Sequence, residues 1–337
     1  MAKDNGFIEL KKQIRDNEIK NLYLFFGDET YIKEVYIKKI KDLIPDGGFA
    51  DFNHILLDEK DLTFDAIDDT FESYPMFSEK KLIIIKNSGI FSKPKEEIKN
   101  FWIEKLKNIP DYVTLLFDET AIDKRSSLYK QVDKSGMVVE FEYLSETDMI
   151  AWLEREARNH KKIISKNNAH YMVNICDSGL SYVKNELDKL INFCETEITL
   201  ADIERIVSKS LSIKVFELTD AIMEKNADTA ISIANDLKTV KESAFKILYL
   251  LSSTFDKMLH SKLMLKEGRT HNEIAEKTGL RPFLVRKYLD GAKKFSEDYL
   301  TDRIIKVAEI DLLIKEGQIP EWTALEQYIL ESVEKVN

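Results

Sequence analysis

At 337 residues the chain is too long for one small core, and two or three domains follow from length alone. A composition that is 44% hydrophobic and 33% charged belongs to a well-folded globular protein and excludes a disordered chain. The net charge of −10 excludes a free-standing nucleic-acid binder that works through bulk charge, but not a protein that touches DNA inside a larger assembly.

The first 143 residues alternate short apolar runs with helical patterns. A strand at Leu22–Phe26 leads into a helix over 31–43, and a strand over 52–57 into a helix over 64–72. Strands over 82–85, 113–117 and 137–141 follow, with helices over 95–107 and 126–134 between them. This β-α-β-α rhythm predicts a mostly parallel sheet covered by helices. The unbroken run Leu82, Ile83, Ile84, Ile85 suits a central strand buried on both faces. Pro45, Pro75, Pro94 and Pro110 each fall near an element boundary.

After Tyr143 the strand signal disappears. Ser145, with Asp148 three residues on, opens a helix in capping-box fashion. Further helices are expected over 166–176, 179–194 and 200–207, the second with an apolar stripe at Leu187, Leu190 and Ile191. Residues 208–212 read as a hinge into a last, all-helical domain, where Leu248, Leu251, Phe255, Met258 and Leu259 mark one face of a core helix. The expected fold class is therefore α/β followed by all-α. The amino terminus carries no apolar leader and no run approaches membrane-spanning length, so a soluble, cytoplasmic protein with no membrane partner is expected. Cys176 and Cys194 lie in separate helical patterns without metal spacing, and read as reduced, buried thiols.

The strand–turn–helix at 22–40 is where a nucleotide-binding α/β protein carries G-x-x-x-x-G-K-S/T, whose backbone N–H groups wrap phosphates. Counted from Gly27, the second glycine falls on Ile32, the lysine on Lys33 and the hydroxyl on Glu34. Only the lysine survives. A β-branched Ile resists the glycine's backbone shape, and Asp28, Glu29 and Glu34 repel a triphosphate. The expected structure is a βα turn with a solvated lysine that binds no nucleotide. Downstream, Val113 to Phe117 followed by Asp118 and Glu119 imitates the strand that holds Mg²⁺ and polarises water in ATPases. Many parallel strands end in carboxylates, so this match is weak. His54, His160, His170, His260 and His271 are scattered without metal-ligand spacing. No catalytic centre, cofactor or metal site is expected.

Two segments invite a binding role. Over 272–289, Ala275, Gly279 and Val285 have helix-turn-helix spacing, with Arg281, Arg286 and Lys287 on the would-be recognition helix. A DNA-binding regulator is the alternative function this raises; a tight helical corner explains the same residues. Between a helix and the central strand, Ser73, Tyr74, Pro75, Met76 and Phe77 cluster large apolar groups in a proline-broken loop. Either they form an exposed docking plug, or the loop folds them back onto the sheet edge. Composition does not choose.

Taken together, several segments resemble the delta subunit of the bacterial DNA polymerase III clamp loader. They are 22–32, 76–82, 123–130, 185–190, 215–221 and 311–317, and their order and spacing carry the likeness. The resemblance implies an AAA+-like α/β domain over 1–143, a small helical lid domain over 144–212 and a helical collar domain over 213–337. It implies a non-ATPase subunit that binds the ring-shaped sliding clamp (beta) and holds one of its interfaces open during DNA replication. Its other implied partners are ATPase and delta-prime-type subunits and, within the complex, primer-template DNA. The family's clamp-binding plug maps onto Met76 and Phe77, led into by Ser73, Tyr74 and Pro75. Pro75 and Met76 stand where the family has a small residue and Leu; Met keeps the volume and apolarity of Leu. ATP-using relatives carry a lid arginine three residues after a helix-opening glycine; counting from Gly179 puts Tyr182 there.

Overall fold

The computed structural model describes residues 4–176 and 179–336. The chain divides into two compact units, Met1–Tyr143 and Leu144–Asn337. In the first, the elements run α1 (Asp4–Asp16), β1 (Leu22–Phe26), α2 (Thr30–Leu43), α3 (Ala50–Asn53), β2 (His54–Asp58), α4 (Phe64–Glu72), β3 (Lys81–Lys86), α5 (Glu96–Lys107), β4 (Val113–Glu119), α6 (Ser127–Ser135) and β5 (Met137–Glu140).

The five strands form one sheet in the order β2-β3-β4-β1-β5, and every pairing is parallel. Side chains alternate across a strand, so β1 serves two cores. Leu22, Leu24 and Phe26 join Ile83, Ile85, Trp102, Leu115, Phe117 and Leu128 on one face. Tyr23 and Phe25 join Leu10, Tyr36, Ile40, Leu82, Leu116 and Phe141 on the other. With both faces buried, the strands need unbroken apolar runs, which is the pattern their sequences have.

Two features depart from expectation. Helix α1 was not anticipated; Leu10 is its buried anchor, with Phe7 and Ile14 packed beside it. The second strand begins at His54, not at 52, because the N–H groups of Phe52 and Asn53 both bond to the Phe49 carbonyl and close the single turn α3. Phe52 is consequently exposed rather than a strand residue.

The second unit runs α7 (Glu146–Asn159), β6 (Ile163–Ile164), α8 (Lys166–Cys176), α9 (Leu180–Phe193), β7 (Glu197–Ile198), α10 (Leu200–Ile206), α11 (Leu211–Met223), α12 (Ala227–Thr239), α13 (Ala244–Lys266), α14 (His271–Thr278), α15 (Val285–Ala292), α16 (Glu297–Lys315) and α17 (Glu321–Glu334). The strand signal does not end at Tyr143 after all. Strands β6 and β7 pair in parallel through two residues each, too few for an alternating pattern to appear in the sequence. The expected hinge is shorter than 208–212 and is tied down. Glu186, itself buried, accepts from Ser208 N (2.9 Å), and Ser210 caps α11 through Ile213 N (3.2 Å). Helices α11 to α17 share one apolar core that includes Leu218, Leu251, Phe255, Tyr328 and Ile329.

Among the described residues, no helix is long and apolar enough to cross a membrane, and no group of three or more His, Cys, Asp or Glu stands together as for a metal ion. Cys176 and Cys194 are both buried.

Candidate functional site

Gly27 ends β1 with φ at +115°, and a Cβ there would lie 2.4 Å from the Phe141 carbonyl oxygen. Only glycine fits this turn. Three of the turn's N–H groups are spent on the protein's own oxygens: Gly27 on Thr120 O (3.2 Å), Glu29 on Phe141 O (3.0 Å) and Thr30 on Asp28 O (3.0 Å). Those three are not available to a phosphate.

Lys33 is not solvated, contrary to the sequence expectation. It is buried, and its Nζ meets Asp118 Oδ1 at 2.8 Å, Glu119 O at 2.8 Å and Gly27 O at 3.3 Å. The physical reason is its place on the inward face of α2, one turn before Tyr36 and Ile37, which puts the ammonium over the end of β4. Asp118 and Glu119, the magnesium-and-water pair of an ATPase, are buried as well. Glu119 accepts from Ser88 N (3.0 Å) and from the Ser88 hydroxyl. Burial pushes the Glu119 carboxyl up, against the pull of those hydrogen bonds. Ile32 is half-buried against the core and Glu34 faces solvent. In the other unit, Gly179 does precede the first residue of α9, and the Tyr182 hydroxyl donates to Ser208 O (2.9 Å). In the first unit, the lysine and the carboxylate that the nucleotide motif would present to a ligand are paired with each other.

The 73–77 loop is the opposite case. Tyr74 is 79% exposed, Met76 38% and Phe77 83%. The loop does not tuck these side chains under the sheet edge, yet its backbone is held at several points. At its start, Lys81 Nζ donates to Thr70 O (2.6 Å), Ser73 Oγ (3.0 Å) and Ser73 O, closing the carboxyl end of α4. Burial pushes the Lys81 ammonium down from its ordinary 10.5 to about 8, so at neutral pH it still donates with all its hydrogens. Tyr112 sends its hydroxyl to Phe71 O (3.1 Å), and its ring lies 4.8 Å from that of Tyr74. At Met76, the buried Asn53 accepts from the backbone N–H (2.8 Å) and donates to the backbone oxygen (2.7 Å). Ser78 Oγ bonds to Pro45 O (2.7 Å) and Lys80 O (2.9 Å).

Phe77 itself sits at φ +52°, a left-handed conformation that costs a bulky residue about 1–3 kcal/mol. Its ring stacks on Phe49, with centroids 5.2 Å apart and planes at 23°. Phe49 and Asn53 were missed in the sequence, where 52–57 read as plain strand. The available signal was the Gly47-Gly48 pair, which marks a turn just before two aromatics.

The helix-turn-helix look-alike is a packed corner. Gly279 takes the left-handed position after α14, and Val285, Tyr288, Leu289 and Ala292 of α15 all enter the core. Lys287 lies over the Phe216 ring (4.3 Å), and the exposed Arg286 is 3.9 Å from Asp290. Lys293 and Lys294 pair with Asp290 and Asp220. With its cations interleaved with carboxylates, the isolated chain should bind duplex DNA weakly and without sequence preference. A mobility shift at physiological salt checks this; nanomolar binding to one sequence, lost in Arg281→Ala/Arg286→Ala, would contradict it.

Comparison with known proteins bears on both units. The family model for the DNA polymerase III delta subunit matches residues 23–142, and that for the delta subunit's C-terminal domain matches 212–332. A further model, described as a middle domain, matches 145–205. The Bacillus subtilis DNA polymerase III subunit delta is 28% identical over 334 residues, covering 96% of each chain. A relative from Aquifex aeolicus is 25% identical over 307 residues, covering 88% of this chain and 86% of its own. The solved Bacillus subtilis DNA clamp loader delta protein superposes with a TM-score of 0.77 at 25% identity, over 97% of this chain and 99% of that one. The parallel sheet, the helical second unit and these matches agree: the chain belongs to the DNA polymerase III delta subunit family, the clamp loader subunits of DNA replication.

Proposed function

We propose that this chain binds the sliding clamp through Met76 and Phe77, with Ser73, Tyr74 and Pro75 leading into the contact. Bound there, it holds one interface of the ring open without hydrolysing ATP itself. The observation that carries this reading is Phe77: a phenyl ring 83% exposed on a loop whose backbone is pinned. Exposed flexible apolar groups lose much of their contact energy to ordering, whereas a pinned aromatic does not. Met76 beside it adapts its shape to a pocket rim.

Ring opening needs no chemistry in this subunit. A partner drives it by binding the open ring more tightly than the closed one, and the shift cannot exceed that difference in affinity. ATP consumption then falls to the partner ATPase subunits; the pairing of Lys33 with Asp118 supports this division.

In this reading residues 1–143 are the clamp-binding platform, 144–212 a lid-like connector and 213–337 the collar. The collar joins ATPase and delta-prime-type subunits around primer-template DNA. A pull-down of the cognate clamp by the purified chain, without nucleotide, tests the central point; failure to retain the clamp would reject it. Ending the chain at residue 212 should leave clamp binding intact but abolish complex assembly. Normal assembly of the truncated chain on gel filtration would contradict the collar assignment.

A further inference from the structure

We propose that Asn53 is the positioning residue of the docking loop, clasping the Met76 peptide so that Phe77 stands out in one fixed orientation. The inference rests on the docking reading of Met76 and Phe77.

Asn53 is completely buried, and its whole amide is engaged. Nδ2 donates to Met76 O (2.7 Å) and Asp46 O (2.8 Å), while Oδ1 accepts from Met76 N (2.8 Å). A single side chain thus treats Met76 as a neighbouring strand would, satisfying both its N–H and its C=O. Only a carboxamide does this. A carboxylate would set an oxygen against two carbonyl oxygens, and an aliphatic side chain would leave three part-buried backbone groups without this partner.

The rest of the seat comes from the same stretch of chain. Gly47, at φ +60°, allows the closest approach: a Cβ there would fall 2.6 Å from Phe77 O and 3.0 Å from Met76 O. Phe49 supplies the face on which the Phe77 ring stacks. Pro45 O takes the Ser78 hydroxyl, and the Ile44 oxygen lies 2.6 Å from His54 Nε2. Residues 44–54 therefore form a cradle in which Asn53 holds the Met76 backbone, Pro45 the Ser78 hydroxyl and Phe49 the Phe77 ring. The left-handed Phe77 is a strained state that needs such over-determination to persist. With the loop ordered in the free protein, the partner does not have to order it, and association is faster.

Binding kinetics of the full chain on immobilised cognate clamp test this, with a melting curve on each variant. Asn53→Ala should slow association and weaken affinity by about tenfold, with a smaller change in dissociation. In a Phe77→Ala background, the same substitution should change affinity little, because no positioned ring remains. A general structural effect would instead appear equally in both backgrounds, and would overturn the proposal. So would a folded Asn53→Ala protein with wild-type association. If Asn53→Ala does not fold, Gly47→Ala decides, since its Cβ presses on the Met76 and Phe77 carbonyls from an exposed position. Wild-type kinetics in that variant would overturn the proposal, and slowed association would support it. Unchanged binding in Phe77→Ala would instead reject the docking reading itself.

Discussion

Replacing Met76 and Phe77 together by alanine should weaken clamp binding by about thirty- to a thousand-fold while leaving the melting temperature almost unchanged. The loss corresponds to about 2–4 kcal/mol, the scale of a buried aromatic anchor at an interface. The stability half of the prediction follows from exposure. Phe77 is 83% exposed and Met76 38%, so neither fills the core, and truncation opens no cavity there. What Phe77 loses in the free protein is its stacking with Phe49, itself a partly exposed contact. The pinning bonds at Met76 come from its backbone, which alanine retains. Both quantities should be read on one preparation, by equilibrium binding and by a thermal melt. Unchanged affinity with a clearly lowered melting temperature would refute the docking role and make these residues structural.

That loop marks the limit of what the sequence alone conveys. The sheet was legible because strands buried on both faces need unbroken apolar runs, and Leu82 to Ile85 can hardly be anything else. The predominantly helical character of the later chain was legible from 3.6-residue periodicity. The departure from a phosphate-binding loop was legible from Ile32 and Glu34 alone. The reason for keeping Lys33 was not, because its partner Asp118 is 85 residues away and only the β1–β4 pairing brings them together. Asn53 was hidden for a related reason. A buried asparagine at a helix–strand junction has no periodic signature, and its ligand, the Met76 peptide, lies 23 residues on. The two short strands β6 and β7 escaped because two residues cannot display alternation. Local patterns report which face is buried; the polar side chains that fasten distant segments are set by topology.

The last expected result concerns the buried ion pair of Lys33 and Asp118. Lys33→Met strands the Asp118 carboxylate in the interior, and Asp118→Leu strands the Lys33 ammonium. Each should cost about 3–5 kcal/mol, the usual price of leaving one member of a buried pair uncompensated. For a domain of this size, each kcal/mol lowers the melting temperature by about 2–4 °C. The double variant Lys33→Met/Asp118→Leu removes both charges and should recover more than half of the loss, as buried pairs exchanged for apolar groups do. Recovery stays incomplete because Lys33 also serves the Glu119 and Gly27 carbonyls, and Lys86 lies 3.9 Å from Asp118. Titration calorimetry of the wild-type chain should show no saturable heat with Mg-ATP in the micromolar range. A lysine ammonium held by a carboxylate at 2.8 Å and by two backbone oxygens has no hydrogen left for a phosphate. Two results would reverse this reading: Lys33→Met with an unchanged melting temperature, or micromolar Mg-ATP binding that disappears in that variant. The first would mean that the ion pair adds nothing to stability, the second that Lys33 is available to nucleotide.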